Sequence, residues 1–340
     1  MATLSIARSL HVLITRTAIS PRFAMSMRLM RLCDVDDMAI DGSMMVRWLK
    51  LMRARASHRA TTPMSHSRVS LSIHPFSTNL SSTHRSMDHR LVSVNADMGE
   101  GFGIYRLGDD AALMQHITMA NVACGFHASD PSIMRSTVLL AKQHGVHVGA
   151  HPSLPDLQGF GRREMRITPD ELLAMVRYQV GALAGILLGE GVPLSHVKPH
   201  GSLYGMTARS SELADALALA VKPFGVPLMG LVGTEHERAA ARHELDFIPE
   251  FFADLDYDQH GGLVISRTHE HRDPAQCAAR VARVLETRSF PTLGGGELPL
   301  PQPLHSERAL SICVHGDTPG AAEIAAAVRR AVDAFNMASR

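Results

Sequence analysis

Disulfide chemistry is poorly provided for in this chain. Only four cysteines, Cys33, Cys124, Cys277 and Cys313, occur in 340 residues, and no two form a Cys-x-x-Cys pair. A disulfide-built scaffold is thereby excluded, and a reducing compartment fits best. An excess of one charge is lacking too: 34 Lys and Arg stand against 33 Asp and Glu, a net charge of +1. That leaves no electrostatic footprint for nucleic acid or a membrane surface. No apolar run approaches the roughly 20 residues that a membrane helix needs. No Gly-x-x-x-x-Gly-Lys-Ser/Thr loop offers a cradle for a nucleotide. Acid is missing from one end, since the first 86 residues carry no Glu and no acidic residue precedes Asp34. This segment is rich in Met, Ser and Arg, and its periodicity is poor. It is expected to be a disordered extension, or sequence upstream of a natural start at Met87. An organellar presequence would rarely run so long or regain Asp at positions 34 to 41. Residues 87–340 are expected to form a single domain, in the cytoplasm.

What is present is an ordinary globular composition, 45% hydrophobic and 20% charged, with a period that alternates between strand and helix beyond Met87. Short β runs occur at Leu91–Val94, Ile117–Ala123, Val146–Ala150, Leu194–Val197, Leu228–Val232, Phe247–Phe252 and Leu310–Val314. Helix starts are marked by Asp130-Pro131, the capping box from Thr168 to Glu171, Asp273-Pro274 and Thr318-Pro319. Gly145, Gly191 and Gly225 are placed as C-terminal caps. In the long helix after Thr168, Tyr178, Gly181 and Ala182 suggest close packing against a neighbour. Phe251–Arg272 and Leu293–Leu310 read as hairpins, turning at Gly261-Gly262 and Gly294-Gly-Gly296. Strand and helix alternating seven times implies parallel strands joined by right-handed crossovers. An open doubly wound sheet draws its ligand residues mainly from one or two strands. Here nearly every strand ends in polar chemistry, which favours a distorted seven-unit β/α barrel.

These polar ends carry the functional signal. Asn95-Ala-Asp97-Met-Gly-Glu100 sets two acids three residues apart on a Gly-rich turn, able to act as base and acceptor; its bland reading is a solvated turn. Cys124-Gly-Phe-His127 brings His127 into the layer of Asp97, while Cys124 reads as a small buried hydrophobe. Across Val146–His151 the period of two puts His147 and His151 on one face, with His151 at the end. The loop from Asp156 to Arg163 offers Arg162 or Arg163 as a carboxylate clamp, or is simply surface. His196-Val-Lys198-Pro-His200 is the most telling cluster, because alternation aims three side chains one way and sets a cation beside an imidazole. Glu250, within the sixth run, and Asp254, just after it, add acids. Val314-His315-Gly-Asp317 ends the last, with Asp317 orienting His315 or capping a helix.

Six blocks in order, NADMGEGFG, ITMANVACGFHASDP, GVHVGAHPSLPDLQGFGRR, YQVGAL, HVKPHGSLY and ICVHGDTP, make the chain from Leu91 to Phe335 resemble the 5-oxoprolinase A-subunit family, also called the LamB/YcsF or lactam-utilisation family. The resemblance implies a barrel of the glycoside hydrolase/deacetylase type. It implies ATP-dependent opening of the 5-oxoproline lactam to L-glutamate, together with partner subunits B and C. The family's motifs fall on Asp97, Glu100, His127, His151, Lys198, His200, His315 and Asp317. Of these, Glu100 and His151 are expected to bind substrate, with Arg163, Glu250 and Asp254. One block departs: the family's FADR reads Phe252-Ala-Asp254-Leu255 here, so Arg267 or Arg163 has to supply the missing cation, and a related lactam such as 2-pyrrolidinone competes as substrate. Without a nucleotide loop, the chain is expected to hydrolyse a lactam phosphorylated by its partners. Asp97 with His127 activates water, Lys198 stabilises negative charge, and His200 and His315 protonate the leaving nitrogen. No metal site is expected. The rival enzymatic reading, a metal-dependent deacetylase or amidase, needs Asp97 and two histidines around Zn²⁺, with Lys198 lying between the best histidines. The non-enzymatic reading is a scaffold or sensor that binds small lactams.

Overall fold

A computed structural model describes residues 88–266, 270–302 and 308–339. The N-terminal segment set apart above and Arg267 lie outside the described residues. In chain order come β1 (Ser93–Met98), α1 (Asp110–Met114), β2 (Met119–Ala123), α2 (Pro131–His144), β3 (His147–His151) and α3 (Pro169–Glu190). Then follow β4 (Leu194–Val197), α4 (Gly201–Arg209), α5 (Ser211–Val221), β5 (Leu228–Leu231), α6 (Glu235–Arg242) and β6 (Phe247–Phe252). The chain ends with α7 (Pro274–Thr287), β7 (Ser289–Pro291), β8 (Glu297–Pro299), β9 (Ser311–Val314) and α8 (Ala321–Ala338).

Strands β1 to β6 and β9 close into a barrel in that order, every pair parallel. They are the seven runs read from the hydrophobic period, with β1 carried on through Asp97 to Met98. Closure is uneven. The β3–β4 register shifts between Val148 and Ala150, and β4 meets β5 through the single pair Val197 and Leu228. Two-residue alternation divides each strand's side chains between two environments. Val94, Ala96, Val122, Val148, Phe251 and Ile312 point outward and join the inner faces of the helices in one core. Inside, near the strand starts, Met119, Met229 and Ile248 form a separate apolar plug.

Beyond the plug the barrel interior is polar. Asn95 donates from Nδ2 to Ser311 Oγ (2.8 Å), Asn121 from Nδ2 to Asn95 Oδ1 (2.8 Å), and His196 Nε2 lies 2.7 Å from Asn121 Oδ1. The His196 ring fits only because β3 carries Gly149 opposite it, where a methyl group would enter the ring. Buried amides and hydroxyls in such a column are tolerable because each finds a partner.

Three helix starts follow the sequence reading. Asp130 caps α2, Thr168 and Glu171 form a reciprocal capping box on α3, and Asp273 caps α7. The fourth does not. α8 begins at Ala321 behind Gly320, whose φ is 80° and which offers no side-chain cap. The Thr318 hydroxyl donates instead to Asp254 Oδ2 (2.9 Å). Gly145 and Gly191 end their helices in the left-handed conformation as expected, while Gly225 ends a short 3₁₀ turn. The Leu293–Leu310 hairpin is displaced: β7 and β8 pair from Ser289 to Pro299 around Gly294–Gly296. Among the described residues, Phe251–Arg272 contributes one antiparallel bridge, Tyr257 to Leu263.

Helix α3 corrects two expectations. By length and composition it could cross a membrane, whereas no run of that kind was expected. In the fold its Leu172, Val176, Val180, Leu183 and Leu187 face is buried against the barrel core. Tyr178 meets the Phe126 ring but stays 66% exposed, and no described residue packs on Gly181. The close neighbour expected at that stripe is absent among the described residues.

Candidate active site

At the strand ends the barrel interior becomes charged. Lys198 follows β4 directly and is 1% exposed. Its Nζ lies 2.9 Å from Asp97 Oδ1 and 2.9 Å from Glu250 Oε1, and it also donates to Cys313 Sγ (3.0 Å) and Asn95 Oδ1 (3.3 Å). Burial by itself would strip the proton from this ammonium. The neighbouring Asp97, Cys313 and Glu250 outweigh it and hold the lysine well above its ordinary range. Asp97 mirrors it: burial pushes the carboxyl up, but His151 and Lys198 together hold it well below the usual carboxylate range. An ion pair so placed persists only because each member keeps its partner.

A second cluster adjoins the first. After β1, Gly99 takes a φ of 69° and the chain brings Glu100 back over the barrel mouth. His127 Nε2 lies 3.1 Å from Glu100 Oε1, and His200 Nδ1 lies 3.5 Å from the same oxygen and 3.0 Å from His151 Nε2. The His127 and His200 rings stack, centroids 3.7 Å apart. Gly161, at a φ of 64°, lets the loop close beneath them, since a Cβ there would press on both His127 and His200. Burial pushes the Glu100 carboxyl well up, with Asp97 and Asp317 adding to it, and pushes His127 and His200 well down. The cluster therefore favours neutral groups when only protons are bound. Glu100, His127, His151 and His200 present ligand atoms within 4.8 Å of one another and could hold a metal ion, as could Asp97, Cys313 and His315.

The third part lies across the mouth. Asp254 accepts from the His315 backbone N–H (2.9 Å) and lies 3.1 Å from His315 Nδ1. Burial alone would lower the His315 pKa; the Asp254 carboxylate outweighs it and raises the imidazole. His315 Nε2 is 3.8 Å from Asp97 Oδ2. Asp317, expected to orient His315, is paired instead with Arg162 in a two-pronged contact at 2.8 and 3.2 Å. Arg162 is buried and faces the cavity beside His151, Lys198, His200 and Tyr204. Arg163 is turned away: its guanidinium binds Asp156 and is half exposed.

The structure thus brings Asp97, Glu100, His127, His151, Lys198, His200, Glu250, Asp254, His315 and Asp317 to one end of the barrel and leaves Arg163 outside. Glu250 and Asp254, expected on the substrate, sit behind Lys198 and His315 as buried counter-charges. Sequence reading passed over Asn121, Cys313, Tyr204 and Phe252. Two of these had a signal. Asn121 lies two residues before Ala123 on the inward side of β2, and Cys313 lies two before His315 on β9, so alternation alone would have placed both inside. Tyr204, on α4, and Phe252, under the Lys198 ammonium at 5.2 Å, had none.

Residues 92–340 match the LamB/YcsF family. The chain is similar to the lactam utilization protein lamB of Emericella nidulans, 49% identical over 243 residues that span 72% of this chain and 94% of the relative. It is similar to the A-subunit of 5-oxoprolinase from Thermus thermophilus, 44% identical over 246 residues, 71% of this chain and 96% of the relative. Among solved structures, a lactam utilization protein from Thermus thermophilus is 43% identical with a TM-score of 0.64, covering 72% of this chain and 96% of its own. The chain belongs to the LamB/YcsF family.

Proposed function

We propose that this chain opens the ring of 5-oxoproline to L-glutamate, acting as the hydrolytic component beside partner subunits B and C that spend ATP to activate the lactam. The names of the relatives support the substrate and the role as one component of a larger enzyme. The observation that carries the chemistry is the convergence of a buried, charged Lys198 and the His315–Asp254 pair on one small cavity. Lys198 stabilises negative charge that develops on the attacked centre or its phosphate. His315, charged by Asp254, donates the proton that the leaving nitrogen needs. Asp97 is held too acidic to serve as the base, so it anchors Lys198 instead. His151 Nδ1 is committed to the Lys198 carbonyl (2.8 Å), and its Nε2 is turned toward His200 Nδ1 (3.0 Å) at the edge of the cavity. Among the described residues Arg162, rather than Arg163, is the guanidinium beside the cavity, and it takes the place of the family's missing arginine near the substrate carboxylate.

The test is reconstitution with subunits B and C of a relative, reading glutamate release with ATP and 5-oxoproline. Lys198→Ala and His315→Gln should each cost about 10²–10⁴-fold in turnover. Full ATP-coupled release in either variant would overturn the assignment. Substituting 2-pyrrolidinone for 5-oxoproline tests the alternative lactam, because that ring lacks the carboxylate that Arg162 would grip. The rival amidase, with a cation on Asp97 and two histidines, finds less support, because the Lys198 ammonium already occupies that side of Asp97.

A further inference from the structure

The hydrogen atoms of two histidines are fixed by what surrounds them. A backbone carbonyl can only accept, so His151 Nδ1, 2.8 Å from the Lys198 oxygen, and His200 Nε2, 2.8 Å from the Phe160 oxygen, both carry N–H. In neutral rings the lone pairs then lie on His151 Nε2 and His200 Nδ1. These two atoms face each other at 3.0 Å. Glu100 Oε1 is 3.5 Å from the second of them and 3.1 Å from His127 Nε2. The other nitrogen of His127 is buried with no hydrogen-bond partner among the described residues. Four possible ligand atoms from four successive strand ends lie within 4.8 Å of one another, and the facing lone pairs of His151 and His200 repel unless something positive lies between them.

A single proton would satisfy one pair of these atoms. We propose that Glu100, His127, His151 and His200 bind one divalent transition-metal ion of the zinc class. A tetrahedral ion with ligands at about 2.0–2.1 Å sets its donors roughly 3.3 Å apart; three of the donor pairs stand at 3.0, 3.1 and 3.5 Å, and all four atoms lie within 4.8 Å of one another. Three imidazoles and one carboxylate suit zinc, iron, nickel or copper and not magnesium or calcium, which seek oxygen. Imidazole N–H groups held by backbone carbonyls are the arrangement that fixes the tautomer of metal-ligating histidines. Repulsion from Lys198 is no obstacle, because Asp97 and Glu250 both contact its ammonium. The same ammonium disqualifies the second group, Asp97, Cys313 and His315. It stands 2.9 Å from Asp97 and 3.0 Å from Cys313, where an ion would have to sit. Bound at the cluster, the ion would supply a Lewis acid beside the cavity. The proposal replaces the expectation of no metal site and holds whether or not 5-oxoproline is the substrate.

The full chain, stripped with a chelator and verified metal-free, is titrated with Zn²⁺ and with Co²⁺. One equivalent should bind with release of protons, and Co²⁺ should give the intense visible bands of a tetrahedral nitrogen-rich site. His151→Ala and His200→Ala should each weaken binding by more than about 100-fold, beyond the loss known for groups that only support a ligand. Failure of the folded wild type to bind either ion overturns the proposal. So does binding of undiminished strength in both variants, or a cobalt spectrum of six oxygen ligands. Should the variants not fold, proton NMR of the cobalt-loaded wild type decides. Two strongly shifted, slowly exchanging imidazole N–H signals are expected from His151 and His200, and their absence rejects the site.

Discussion

At the scale of single residues, charge placement decides both stability and chemistry. Lys198 has two carboxylates within 2.9 Å and almost no contact with water. Lys198→Met therefore leaves Asp97 and Glu250 buried without their counter-charge, which should cost about 3–5 kcal/mol. Urea denaturation of the folded protein checks this, and adding Asp97→Asn should return part of the loss. A Lys198→Met midpoint equal to wild type would show the pair to be energetically idle. His315 supplies the pH dependence. Asp254 raises its folded pKa above the ordinary value of about 6.5. The pair's stabilisation is thus fully present below that pH and is lost as pH rises through the folded value. An acid of this kind places the alkaline limb of the turnover profile above pH 6.5 or so. Asp254→Asn removes the raising charge, so the limb should move to lower pH, and a limb that stays in place would separate His315 from proton donation. Most of these residues were legible because each closes a strand. The His315 partner was not. Asp317 is two residues away in sequence, whereas Asp254 is sixty-one away, and only closure of β6 against β9 brings it near.

Among the elements, the strands were legible and their junctions were not. Alternation exposes a strand in the sequence because both faces are buried in different chemistry, apolar toward the helices and polar toward the barrel axis. Caps at Asp130, Thr168 and Asp273 were legible because side chain and Pro act within four residues. The start of α8 misled because Thr318 spends its hydroxyl on Asp254, a partner from another strand end. Nothing in the local sequence distinguishes a threonine that caps a helix from one that braces a carboxylate. Gly149 makes the same point within β3, where a glycine in a strand reads as weakness but here admits the His196 ring. Gly149→Ala should force that ring aside, break its 2.7 Å bond to Asn121 and cost about 1–3 kcal/mol through overpacking. Denaturant unfolding measures the loss. His196→Ala in the same background should relieve most of the steric part, and strict additivity of the two changes would argue against direct contact.

For the molecule as a whole, the question is what closes the barrel. β1 pairs with β2 on one side and β9 on the other, so the first strand is the seam where the ends of the domain meet. The seam is fastened further by α8. Asn336 accepts from the Val92 backbone N–H (3.0 Å) and donates to the Val92 carbonyl (2.9 Å), 244 residues apart. Arg308, just before β9, reaches back to His89 and to Asp246 (2.6 Å to the latter). Each of these fastenings uses residues from position 88 onward, and the family match begins at residue 92. A chain beginning at Met87 should therefore fold unaided, with the cooperative thermal transition of the barrel unchanged within about 2 °C, since loss of one kcal/mol would shift a domain of this size by roughly 2–4 °C. Asn336→Ala in that shorter chain should lower the midpoint by more than this margin, because it strands both backbone groups of Val92 at the seam. If the shorter chain melts well below the full one while Asn336→Ala leaves it unmoved, then closure depends on residues before Met87, and the single-domain boundary at that position is wrong.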